Sequence, residues 1–404
     1  MMQRVLLLIS TLFVLYACTS TVPHAPLPGA PAIEQPAASA VSEVPVAPPV
    51  VETVPEPVVL PNITPFPHIA LLLPVQSDVF GPAADAVRQG FFAAAKYSKR
   101  QILPVRVYSD FDENASVVAA YRQAIANGAV AVAGPLTRNG VSALAARQNI
   151  PVPTLALNIV EGQFAPQLYF FGMAVEAEAR QVAQLAKQQG LHQAIIVTTR
   201  TPLSLRLQTA FENEWTGTAD DLDRGILREI EYDGDPSVLT DIADITDTMV
   251  FLATDAEKAR LINPYLPNKI PVYATSQVFT GNDSPLGNYD LNGVRFVDMP
   301  WLLQPDHPAV MVYPHLDPPL SASHERLYAL GIDSFRLIEL MLSGNPKNAL
   351  PMDGVTGQIQ LNGHTFERKG IPAVFAQGRA QPANTSAAAA PAPLMFPGQI
   401  INPP

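Results

Sequence analysis

Seven histidines, one cysteine and a short run of aspartates are the side chains in this 404-residue chain whose types suit metal binding or nucleophilic chemistry. His24, His68, His192, His307, His315, His324 and His364 fall at no metal-ligand spacing, and a single cysteine makes neither an intrachain disulfide nor a Cys-based zinc site. His324-Glu325 begins like the zinc-protease motif HExxH, but Tyr328 stands where the second histidine belongs. The pair is read instead as the polar first turn of a helix, where the dipole favours Glu325. Asp220, Asp221 and Asp223 lack the glycine and glutamate of an EF-hand loop and read as a solvated turn. No GxGxxG, Walker A or GxSxG spacing occurs, and after Leu73-Pro74-Val75-Gln76 no glycine appears until Gly81, so nothing cradles a phosphate. The expectation is no metal and no cofactor, and the absent motifs disfavour a hydrolase.

The remaining candidates are small polar side chains, and they depend on the elements that would place them. His68 to Pro74 is a short continuous apolar run of the kind buried on both faces of a parallel sheet. Helical and strand patterns then alternate. Helices are predicted over 81–98, 117–127 and 141–148, with strands over 104–108, 129–133 and 152–157; Tyr169-Phe170-Phe171 leads out of this first array. The second array has helices over 176–189, 203–215, 237–245 and 256–265, with strands over 194–198, 226–232, 249–253 and 271–274. Beyond Val294 come a strand, a long helix over 323–342 and a hairpin over 355–375. Two consecutive βαβαβ arrays predict an α/β fold of two doubly wound, Rossmann-like lobes around a central cleft. Ligands of open α/β sheets sit beyond the carboxyl ends of the strands, which makes Ser77, Asp110, Asn158, Thr199, Thr275 and Ser276 the cleft candidates. The competing reading for each is a helix cap or turn, which these residue types favour without any ligand.

The formal net charge is −11, with Asp+Glu 36 against Lys+Arg 25, so no basic footprint for nucleic acid exists. Prolines are concentrated at the start. Arg4 precedes an apolar stretch over 5–17, too short to span a bilayer and shaped like an export signal, and Leu15-Tyr16-Ala17-Cys18 matches the lipobox of bacterial lipoproteins. Residues 1–17 are therefore read as a lipoprotein signal peptide and Cys18 as the lipidated residue. Thr19 follows, where lipoproteins kept in the inner membrane usually carry Asp; the comparison implies an outer-membrane anchor with the body in the periplasm. From Thr19 to Pro67 there are 13 prolines in 49 positions, so 18–67 reads as the lipidated Cys plus a disordered linker. Its reach lies between about 40 Å as a coil and about 150 Å as polyproline II. The body is assigned to 68–378, with lobe 1 at roughly 68–172 plus part of 275–378 and lobe 2 at roughly 173–274 plus the remainder. Residues 379–404, rich in Ala and Pro, are read as a disordered tail.

The lobe order resembles type I periplasmic binding proteins. Within that superfamily, Ile69 to Pro74, Gly134-Pro135-Leu136, Pro151 to Asn158, Leu168 to Gly172, Pro271 to Ser276 and above all Leu291 to Leu302 resemble the C-terminal domain of the LpoA (YraM) family of penicillin-binding-protein activators. The resemblance implies an outer-membrane lipoprotein that binds a class A penicillin-binding protein and stimulates peptidoglycan synthesis without being an enzyme. Familiar members also carry a helical repeat domain before this body, where the present chain has the proline-rich segment. A lipid-tethered receptor for an amino acid or another small solute is the alternative.

Overall fold

The computed structural model describes residues 65–98, 103–110, 114–217, 225–242, 246–344 and 349–383. Cys18, the signal segment, most of the proline-rich segment, the Asp220–Asp223 run and the tail beyond 383 lie outside them.

The first sheet is built on β1 (His68–Leu73), buried at every position. Its side chains alternate between two cores: Ile69, Leu71 and Leu73 face one, Ala70 and Leu72 the other. This is why the run is apolar throughout. The chain continues through α1 (Gly81–Tyr97), β2 (Val105–Ser109), α2 (Asn114–Ala126), β3 (Ala129–Ala133), α3 (Arg138–Ala145), β4 (Thr154–Ala156) and β5 (Leu168–Phe171). The second sheet follows with α4 (Val175–Gln188), β6 (Gln193–Thr198), α5 (Pro202–Thr216), β7 (Ile226–Glu231), β8 (Thr248–Ala253), α6 (Ala256–Ile262), β9 (Val272–Ala274) and β10 (Arg295–Asp298). β8 is also buried throughout, with Met249, Phe251 and Ala253 on one face and Val250 and Leu252 on the other.

After β10 the chain returns to the first lobe through α7 (Pro300–Leu303) and α8 (Ala322–Leu342), then adds β11 (Met352–Asp353), β12 (Gln358–Asn362) and β13 (Thr365–Lys369) to the first sheet. β14 (Ile371–Ala376) and β15 (Arg379–Pro382) complete the second. The strand orders are β11-β12-β13-β5-β4-β3-β1-β2 and β15-β14-β10-β9-β8-β6-β7. The chain thus passes between lobes after β5, after β10 and between β13 and β14. The α/β fold of two doubly wound lobes is the one observed.

Local departures from the sequence reading have identifiable causes. The hairpin expected over 355–375 is β12–β13 alone, because Gly370 carries the chain across and β14 pairs antiparallel with β10. A side chain at Gly370 would run into the backbone of Asp298, so the crossing needs glycine. Arg379–Pro382, assigned to the tail, forms β15: a Gln377-Gly378 turn, both residues at positive φ, folds it back on β14 and buries Ala380. The helix expected from 256 to 265 is α-helical only to Ile262, since Pro264 lacks the N–H that would continue it, and Asn263–Tyr265 tightens to a 3-10 turn. Of the helix expected over 237–245, the described part is a 3-10 turn at Pro236–Leu239 capped by Asp235. Among the described residues of that stretch, Leu239 and Ile242 are buried in the core and Val238 packs against it, one short cluster around the 3-10 turn.

Candidate functional site

The sequence candidates separate into three places. Ser77 closes the turn into α1: its carbonyl accepts from the Gly81 amide at 2.7 Å and its hydroxyl from the Phe80 amide at 3.2 Å. Asp110, buried beyond β2, donates its amide to the Leu73 carbonyl at 3.2 Å. Asn158 donates to the Leu136 carbonyl at 3.2 Å and accepts from the Ile159 amide at 3.0 Å, which orients it at the edge of a cleft. That cleft, of about 370 Å³, lies over the carboxyl ends of β3 and β4, with Phe80, Leu136, Leu157, Met173, Leu327 and Leu330 as apolar wall and Thr137, Arg138, Asn139 and Asn158 as polar rim. Thr137 caps α3 by accepting from the Gly140 amide at 3.1 Å.

Arg138, on the rim of the cleft, also acts through its charge on Glu176 of α4, which does not line the cleft. Burial opposes the Glu176 charge, but a 2.7 Å bond from Arg206 and the field of Arg138 hold its carboxyl below the usual carboxylate range. Thr199 lies at the entry to α5, its amide donating to Ser204 Oγ at 2.9 Å. The hydroxyls of Thr199, Thr254 and Thr275, beyond β6, β8 and β9, are buried and find no hydrogen-bond partner among the described residues.

Thr275 and Ser276 belong to the third place, the crossing between lobes, where Ser276 is structural. Its amide donates to Glu178 Oε2 at 3.0 Å and its carbonyl accepts from Arg326 at 3.1 Å. Arg326, on the helix packed against lobe 1, also holds Asp298 Oδ2 at 2.6 Å, Asp298 Oδ1 at 3.1 Å and the Phe279 carbonyl at 2.8 Å, all in lobe 2. Arg368 of β13 reaches Glu178 of α4 at 2.6 Å, and Gln181 bonds both backbone groups of Gly370, at 2.7 and 3.0 Å. Burial pushes the Asp298 carboxyl above its usual range even against the pull of Arg326. Burial likewise opposes the Arg326 charge, but Asp298 outweighs it and raises the guanidinium pKa. Two buried arginine–carboxylate pairs therefore join elements of the two lobes.

Sequence reasoning missed the partners that make up this cluster. Glu178, Arg326 and Arg368 sit in ordinary amphipathic stretches, and the one visible signal was Asp298, a carboxylate ending an apolar strand just before Met299-Pro300-Trp301. Trp301 is buried beside it, donating Nε1–H to Glu325 Oε2 at 2.6 Å. Glu325, read only as a first-turn residue, is thus a buried acceptor as well. Among the described residues, no group of three or more His, Cys, Asp or Glu side chains is placed to hold a metal ion.

Two open α/β sheets, three crossings and a cleft beyond the strand ends define the chain as a periplasmic-binding-protein-like, two-lobed protein. It belongs to the family described as "LppC putative lipoprotein", which it matches over residues 56–247 and 240–369. A relative from Aliivibrio fischeri named "Penicillin-binding protein activator LpoA" is 24% identical over 336 residues, 73% of this chain and 54% of that protein. The chain thus spans about half the length of the curated relatives it matches. Among solved structures, the LpoA (YraM) C-domain from Haemophilus influenzae, "a regulator of PBP1A", is similar in fold (TM-score 0.66, 23% identity, 78% of this chain and 100% of that one). A Chromobacterium violaceum chain described as "a putative branched-chain amino acid ABC transporter" is 38% identical, with TM-score 0.66, covering 76% of this chain and 99% of that one. No described helix is long and apolar enough to cross a membrane.

Proposed function

We propose that this chain is an outer-membrane lipoprotein, anchored through Cys18, whose body binds a class A penicillin-binding protein in the periplasm and raises its peptidoglycan synthesis, with no catalysis of its own. Support comes first from the body-wide match to relatives named as activators. The observation that carries the reading over a solute receptor is the crossing. A receptor that closes on its ligand needs lobes free to rotate, whereas here Arg326–Asp298 and Arg368–Glu178 join them in a buried, hydrogen-bonded cluster. Rotating the lobes far enough to part these pairs would break several charge-assisted hydrogen bonds at once, so the pairs oppose that motion. The body is then a rigid platform. The test is glycan-strand synthesis from lipid-linked precursor by a purified class A synthase with and without this protein. Stimulation is expected, and an unchanged rate at saturating protein would overturn the proposal.

The receptor reading keeps one specific support, the 38% identity to the chain described as a transporter component. Against it stands the cleft lining, which includes Arg138 but no carboxylate for the ammonium of an amino acid. Native mass spectrometry with the twenty amino acids, showing a stoichiometric adduct, would revive it.

A further inference from the structure

The outer face of lobe 1 breaks the charge pattern of the rest of the chain. Between Glu113 and Glu161 the sequence holds Arg122, Arg138 and Arg147 and no Asp, Glu or Lys, although the whole chain is at −11. Arg138 faces the cleft; Arg122 and Arg147 do not. α2 buries Val117, Ala120, Tyr121 and Ala124 against the sheet and so satisfies its core face. It nevertheless carries a second, outward stripe, Ala115, Val118, Ala119 and Arg122, at i, i+3, i+4 and i+7. With Ala143 of α3, its C-cap Ala146 and the following Arg147, this stripe forms an open groove of about 540 Å³. Arg122 and Arg147 are exposed, and neither guanidinium bonds any described residue.

We infer that the α2–α3 groove is the docking surface for an acidic helical segment of the synthase, an assignment that rests on the activator reading above. Three features favour that occupant. Alanine floors let a third helix approach closely with no loss of side-chain entropy, and the eight residues of α3 make a seat of about 12 Å, two turns of a visiting helix. Two exposed guanidiniums with no partner among the described residues match carboxylates bidentately, with a geometry that an ammonium would not impose. The acidic remainder of the chain repels an acidic partner elsewhere, so the groove sets the orientation of the encounter. A concave seat with two cations suits a helix better than a flat anionic bilayer.

The experiment measures binding of a purified class A penicillin-binding protein to the full lipidated chain in detergent, with Arg122→Glu/Arg147→Glu and, separately, Ala119→Trp. Because these side chains are exposed, both variants keep the wild-type melting temperature, so a loss of binding is not a loss of fold. The expected result is binding at least tenfold weaker in each, with stimulation of the synthase reduced in step. Wild-type affinity in both variants overturns the groove and leaves the activator reading standing; no binding by the wild-type chain removes both. Two other outcomes also overturn the assignment when synthase binding is unchanged. Loss only of binding to phosphatidylglycerol vesicles gives the groove to a lipid surface, and a shift from dimer to monomer in sedimentation gives it to a second copy.

Discussion

Asp298 and Arg326 are each nearly inaccessible to water and rely on one another, so removing one partner leaves the other as a buried, unpaired charge. Asp298→Ala is expected to destabilise the body by about 3–5 kcal/mol in urea unfolding. Adding Arg326→Met should recover a good part of that loss, since an apolar replacement of both partners removes the stranded charge; additive losses would show that the pair matters through something other than its charges. Trp301 fills the neighbouring space, ring to ring with His315 and Tyr328 at 4.1 and 5.3 Å. Trp301→Ala should lower stability by about 3–5 kcal/mol, the usual cost of a large buried aromatic; an unchanged melting temperature with lost synthase binding would mark Trp301 as an interface residue instead. Tyr328 adds a pH signature. Burial, helped by Glu325, raises its hydroxyl pKa to about 12 from an ordinary 10.0. The folded value lies above the unfolded one, so the contribution is complete below about pH 10 and is lost as pH climbs toward 12. Melting temperatures recorded from pH 9 to 12 should fall less steeply in Tyr328→Phe than in the wild type, and parallel slopes would contradict the assignment.

At the scale of elements, the contact between α1 and α8 decides how lobe 1 is closed. Gly90 faces the Tyr328 carbonyl and Gly331 faces the Val87 carbonyl, each so close that no side chain fits. The two helices touch backbone to backbone at this reciprocal glycine pair. Gly331→Ala is a better helix former by propensity, worth up to about 1 kcal/mol in an open helix, yet here overpacking dominates. Thermal unfolding should show a net loss of about 1–3 kcal/mol, and a gain would mean that the helices can part without cost. Two residues further along α8, Asp333 accepts from the Val355 and Thr356 amides at 3.2 and 2.8 Å and so fixes the entry to β12. The same helix thereby packs on α1, pins the last hairpin and reaches lobe 2 through Arg326.

For the whole molecule, the proposed anchor Cys18 stands 50 positions before β1 in the sequence. On the lipoprotein reading, Cys18→Ser should release the protein from outer membranes while the melting temperature of the body stays unchanged. Retention of the Cys18→Ser protein in the outer-membrane fraction at high salt would show another means of attachment.

The sequence by itself determined the α/β class, the two lobes and the runs that become β1, β8 and α8. These depend on short-range patterns: continuous apolar segments for strands covered on both sides, and 3.6-residue periodicity for helices. It also carried the resemblance that the family match supports, because segments such as Leu291 to Leu302 are written in consecutive residues. Only the tertiary structure decided where the candidates go. It set Asn158 at the cleft, Ser276 in the crossing and Thr199 at a helix entry, and it turned the last hairpin into a crossing at Gly370. Glu178 and Arg368 are 190 positions apart, and Asp298 and Arg326 lie 28 apart on different lobes. Pairings of that kind follow from how two sheets share three crossings, and no local spacing along the chain encodes them.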